Sequence, residues 1–151
     1  MTIDRERIAM TDLNELIEKI EVAGSNDPEL FWEAFNAVHG PKPERVHGGS
    51  KEMDDYLAKS NPYFYFVKAG AFLDAAMSLV PDGFIFGCGS KDATKTAWAW
   101  VSPDEPLEYR SITNAATPAL ALCAAALKAR AILSKQDPEY SGWVEVVEEG
   151  E

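Results

Sequence analysis

Histidine and cysteine are both scarce in this chain, two of each among 151 residues. His39 and His47 form no H-x-x-x-H spacing and have no cysteine pair beside them, so no metal site is expected. Cys88 falls in a strand-like run and Cys123 in an alanine-rich helical stretch. Both settings are apolar, which suits buried thiols, and a domain of this length does not need a disulfide. No cysteine lies near a histidine and no G-x-S-x-G is present, so no nucleophilic set is visible. The carboxylates of "MDDY" and "VEEGE" sit in polar runs where solvation is the default. The expectation is a protein that is not an enzyme and carries no cofactor.

Basic residues are also few, 14 against 25 acidic ones, for a formal charge of −11. The summed field repels phosphate backbones and anionic membranes, so neither nucleic acid nor a membrane is expected as partner. Mimicry of DNA is the sharp use of such a charge, and plain solubility the ordinary one. Long apolar runs are missing too: none approaches the ~18 residues of a membrane span. The opening "MTIDRERIAM" lacks the apolar centre of a secretory signal, and the expected location is the cytoplasm. What the chain does contain is 46% apolar and 11% aromatic residues, enough to bury a core within one domain.

Residues 11–40 read as a helix hairpin. Leu13, Leu16, Ile17 and Ile20 recur at helical spacing behind Thr11 or Asp12 as cap, and Gly24 stops the run. Asp27 and Pro28 open a second helix whose stripe is Leu30, Phe31, Ala34, Phe35 and Val38, ending at Gly40. Residues 41–62 hold three prolines, a glycine pair and many charges, and are expected as a charged loop with at most one helical turn at "MDDYLAK". A core of α-β-β-β-α order is expected over 63–135: a helix near 69–80, strands at "GFIFGCGS", "TKTAWAWVS" and "PLEYRSI", and a long helix from Thr117 and Pro118 to Lys135. The tail, 136–151, is acidic, with Trp143, Val144, Val146 and Val147 among glutamates; an edge strand and an anchored end both fit.

The segment "GSKDATKT" comes close to a phosphate-binding G-x-x-x-x-G-K-[ST] loop, with Thr94 where the second glycine belongs. Such a loop must deliver its anion to a helix N-terminus. Here "AWAWVS" follows, whose period of two predicts a strand, so the segment is expected as a hairpin turn. The order helix, three strands, helix also occurs in double-stranded-RNA-binding domains. Those domains grip phosphates with lysines at the start of the last helix. In this chain that start is "NAATPALAL", with no basic residue before Lys128, which sets RNA binding aside.

The pieces "LNELIEKIEVAG", "PELFWEAFNAVHG", "FLDAAMSLVPDGF" and above all "NAATPALALCAAALKARA" resemble the phage ABA sandwich domain family across roughly residues 11–133. The resemblance implies a phage or prophage origin and an α+β fold. That fold is an α/β sandwich in which helices cover a small antiparallel three-stranded sheet. It implies no reaction and carries over no catalytic residue. The loop at 41–62 and the tail depart from it.

A sheet with Trp98 and Trp100 on one face and Ala97, Ala99 and Val101 on the other has two apolar faces to cover. The flanking helices of the core suit one, and the N-terminal helix pair or a second subunit the other, so a homo-oligomer is open. The tryptophans serve either as core, the favoured reading for alternating aromatics, or as a stacking platform. Arg110 is the cation placed to meet a ligand beside them, or else a rim residue. The leading functional expectation is an accessory protein acting by binding a host protein. The alternative is a protein that sequesters a small anionic, nucleotide-like signal through Trp98, Trp100 and Arg110. A hydrolase using the loop residue His47 is the remote third.

Overall fold

The computed structural model describes residues 10–91, 96–103 and 111–136. Among these residues the chain forms α1 (Met10–Val22), α2 (Pro28–His39), α3 (Lys51–Lys68), α4 (Phe72–Met77), β1 (Phe84–Lys91), β2 (Thr96–Pro103), β3 (Ser111–Ala115) and α5 (Pro118–Gln136). The strands make one antiparallel meander in the order β1-β2-β3. Helices pack against it, giving the α+β class expected from the sequence.

The helix boundaries follow capping chemistry. Asp27 accepts from the Glu29 amide at 3.0 Å with Pro28 directly inside the helix, and Gly40 closes α2 at φ 83°. Ser50 caps α3 through the Met53 amide at 3.1 Å. Thr117 accepts from the Leu120 amide at 3.0 Å and donates to Asn26 Oδ1 at 2.6 Å, tying the start of α5 to the α1–α2 link. The expected caps Thr11 and Asp12 are not caps, because α1 has already begun at Met10.

The loop expected at 41–62 is in error from residue 51 onward. α3 runs through Pro62, and the proline is tolerated because it and Ala58, four residues earlier, lie on the exposed side, where water can take the carbonyl freed by the missing N–H. The buried side of α3 is Ser60, Tyr63 and Val67, with Met53 and Tyr56 half-buried on the same three-four spacing. α4 is consequently shorter than the helix expected at 69–80. The described part of the third strand runs past the expected segment, Ser111–Ala115, with Ser111, Thr113 and Ala115 buried and Ile112 and Asn114 exposed. Residues 104–110 and the tail from 137, with the expected edge strand, lie outside the described residues.

α5 is the centre of the molecule. From Ala119 to Leu127 every residue is buried, and Ala129 with them, so the helix is enclosed on all sides rather than amphipathic. It lies on the sheet, and α1, α2 and α4 pack around it. Its alanines meet Ala97, Ala99 and Val101 of β2, and small groups on both sides let the helix axis approach the sheet closely. The Thr113 hydroxyl donates to the Ala121 carbonyl across that contact. The N-terminal pair therefore packs against the helical layer, not on the second face of the sheet as expected. The Arg130 guanidinium donates to the Leu79 carbonyl at 2.7 Å and fastens α5 to the end of the α4 segment.

Candidate functional site

Burying alanines inside leaves the large residues of β2 outside. The expectation that Trp98 and Trp100 are core is overturned: both point to the face opposite α5 and are only half-buried. The register places Trp98 between Gly89 of β1 and Asn114 of β3, and Trp100 between Gly87 and Ile112. With Ile85 these residues form the face that no described helix covers, called the open face below, on which Ile85 is 45% and Ile112 61% exposed and Ser102 is buried.

The glycines are what seat the indoles. A Cβ at Gly87 would lie 2.8, 2.9 and 3.0 Å from Nε1, Cε2 and Cζ2 of Trp100. At Gly89 the corresponding approach is to Cζ2, Cε2 and Nε1 of Trp98, at 2.8, 3.0 and 3.2 Å. Three adjacent ring atoms at such short range mean that each indole lies close over its glycine. Such aromatic–glycine pairing also replaces the packing that a strand glycine lacks. The alternation of glycine in "FGCGS" against tryptophan in "AWAW" is the sequence signal for this arrangement, and it was legible only once the hairpin register was known.

Gly→Ala in a strand ordinarily stabilises by about 0.5–1 kcal/mol. At Gly87 and Gly89 the sign should reverse. Each substitution is expected to destabilise by about 1 kcal/mol, since the added methyl must push an indole off the strand. Urea denaturation gives the magnitude, and a red shift of tryptophan emission marks the displaced ring.

The face is also distinctive electrically. The chain carries −11, yet the described residues of this face, which include Ile85, Gly87, Gly89, Trp98, Trp100, Ser102, Ile112 and Asn114, hold no carboxylate. Among the described residues it is an apolar, aromatic patch. Arg110, expected beside the tryptophans, lies outside the described residues.

The remaining candidates do not gather with it. His47 is exposed in the turn before α3, next to Gly48 and Gly49, both at φ 86°. His39 stands at the end of α2 with its ring 4.5 Å from that of Phe35, and burial pushes its imidazole down to about 4. Cys88 and Cys123 are free thiols. Burial pushes Cys123 up to about 12, which makes it inert, and raises Cys88 as well. Among the described residues no three His, Cys, Asp or Glu side chains come together to hold a metal, and no helix is long and apolar enough to cross a membrane. The flanks of "GSKDATKT" pair with each other, Ser90 with Ala97 and Lys91 with Thr96, so the segment joins two strands and not a strand to a helix. No protein-family model, curated protein or solved structure matches this chain, and the open face is read on its own chemistry.

Proposed function

We propose that this chain is a phage or prophage accessory protein with no chemistry of its own, and that it works by docking a host protein on the open face of its sheet. The observation that carries this reading is the pair of half-buried indoles seated on Gly87 and Gly89, on the face of the sheet opposite α5. Tryptophans with one face already packed are rigid, lose little entropy on binding, and are the residue type most enriched at interface hot spots. Ile85 and Ile112 widen the patch, which holds no carboxylate among the described residues and suits a partner with an apolar contact surface of its own.

Cross-linking mass spectrometry in host extract tests it, with the wild-type chain beside Trp98→Ala/Trp100→Ala. The expected result is one partner cross-linked near β1 and β3, lost by about a hundredfold in the double variant while its melting temperature stays close to wild type. A partner retained equally by the variant, or a turnover abolished by any point substitution, would sink the proposal.

A second reading draws on the same rings. Planar bases stack on exposed aromatic faces with about 1–3 kcal/mol each, and two indoles side by side would suit sequestration of a small nucleotide-like anion. Native mass spectrometry of protein from infected cells separates the two. A small anionic mass at fixed stoichiometry supports sequestration, and a bound host chain supports docking.

A further inference from the structure

The two edges of the sheet are built differently. β3 has five residues, and α1 packs beside it. β1, the other edge, has eight, and among the described residues no strand pairs with its outer side. The free N–H and C=O groups of such an edge are a template for another strand, and natural sheets blunt it with a proline, a charge, a bulge or a covering element. "FIFGCGS" contains no proline and no charge. Its pairing with β2 runs from Phe84 opposite Pro103 to Lys91 opposite Thr96 with no residue skipped, so there is no bulge. Nor is the edge covered at its start: Ile85 is 45% exposed and Phe86 36%. These neighbours lie on opposite sides of the sheet, Phe86 on the α5 side with Val101, so the strand is open from above and below.

An edge of this kind takes an extended strand, and its residue pattern suits a second copy of itself. In an antiparallel pair about a twofold axis, facing residues share one side of the sheet, so the axis passes through a residue position and not between two. An axis at Gly87 pairs residues 84–90 of both copies. Ile85 then faces Gly89 of the second copy, Phe86 faces its Cys88 and Phe84 its Ser90, so each large side chain meets a small one. Trp98, whose indole already lies over Gly89, gains Ile85 of the second copy as a neighbour. An axis at Cys88 would instead set Gly87 against Gly89 twice, leaving two pairs without side-chain contact. Charge agrees with the first arrangement. Each copy carries −11, yet the seven paired residues carry none, so no like charges face each other in the pair. The contact is small, about 24 Å long and about 10 Å deep. That falls below the ~1,200 Å² total of a stable complex, so the association is reversible.

We propose that this protein forms a twofold dimer by pairing β1 with β1 of a second copy, centred on Gly87. The product is a six-stranded antiparallel sheet on which the two open faces, each with its Trp98 and Trp100, become continuous. The dimer does not require docking of a host protein.

Sedimentation equilibrium of the full chain, from about 5 to about 500 μM, tests it. The expected result is a monomer–dimer equilibrium half-complete at about 100 μM, as suits so small a contact. Raising the salt from about 50 to about 300 mM should tighten it, because screening removes the repulsion between two acidic chains. Ile85→Lys and Ser90→Lys each put a charge on the edge at an exposed position. Both should weaken the dimer by about tenfold while the dilute protein melts close to wild type. Ile112→Lys, on the same face as Ile85 but on β3, should leave association unchanged. Hydrogen exchange should slow at β1 amides, and not at β3, between the dilute and the concentrated protein. A monomer throughout the range overturns the proposal and leaves the edge to a strand of another protein. A dimer indifferent to both edge lysines, or one protected at β3, overturns it too. If Ile112→Lys disrupts the dimer as strongly as Ile85→Lys, the copies meet face to face and the edge pairing is wrong.

Discussion

Tyr63→Ala should lower the unfolding free energy by about 3–5 kcal/mol, the range for truncating a fully buried aromatic. For a chain of this size that is a fall of roughly 10 °C in melting temperature. Tyr63 is 1% exposed. Its ring stands 5.0 Å from that of Trp32 and 4.7 Å from that of Phe35, and its hydroxyl donates to the Phe31 carbonyl. Burial holds the phenol well above its ordinary pKa, so it stays a neutral donor across the working pH range. One side chain thus pins α3 to α2. Tyr63→Phe keeps the ring and removes only the hydrogen bond, and should cost about 1 kcal/mol, because a carbonyl inside a helix is not left orphaned. Urea unfolding of the two variants separates packing from hydrogen bonding. A loss below about 1.5 kcal/mol in Tyr63→Ala would mean that α3 is not docked through this residue. Because Tyr63 lies in the helical layer, partner capture by the open face should survive the substitution below its melting temperature.

The second large effect is a pH dependence traceable to His39. Burial lowers the pKa of its imidazole to about 4, and Arg130 and then Lys59 add to the lowering. Its place in the last turn of α2 would by itself favour the charged form, so desolvation outweighs the helix dipole. The unfolded chain binds this proton near pH 6.5 and the folded chain only near pH 4. Stability is therefore complete above pH 6.5 and drains as the pH falls from 6.5 toward 4, because the unfolded state takes up the proton first. At about 1.4 kcal/mol per tenfold in proton affinity the full difference approaches about 3 kcal/mol. The ring is partly exposed, and screening reduces it to about 2 kcal/mol. His39→Phe keeps the contact with Phe35 and removes the titration. Urea midpoints from pH 7 to pH 4 should fall more steeply for the wild type than for this variant by that amount. Parallel profiles would show that His39 is solvated in the folded state.

Much of this protein was legible because local chemistry and tertiary structure agree. "NDPELF" places an acceptor, a proline and a first-turn carboxylate in the order a helix start needs, and α2 begins there. "ATPALALCAAAL" is continuous helix former behind a threonine cap, and it became α5. The period of two in "AWAWVS" made β2 a strand and removed the phosphate-loop reading of the turn before it. α3 escaped because Pro62 and the charges of "KEMDDYLAK" signal a break, and the buried stripe that overrules them is only five residues spread over four turns. Its signal was the three-four spacing of Met53, Tyr56, Ser60, Tyr63 and Val67.

The open face was the part least accessible to a linear reading. Alternation in β2 settles that the tryptophans share one side and the alanines the other, but not which side the helices cover. Size decided it. An alanine-rich α5 gains most by close approach to a small-residue surface, so Ala97, Ala99 and Val101 went inward and the indoles were left on the solvent side. The glycines of β1 then became seats for those indoles through a register that only strand pairing sets. The buried Ser111 hydroxyl, which has no hydrogen-bond partner among the described residues, belongs to the same class of fact. The helix starts, the hairpin and the class of fold follow from local chemistry, because they rest on neighbours along the chain. Which face stays open, and which polar group stays unpaired, were decided by distances between residues far apart in sequence, where packing volume outweighs local preference.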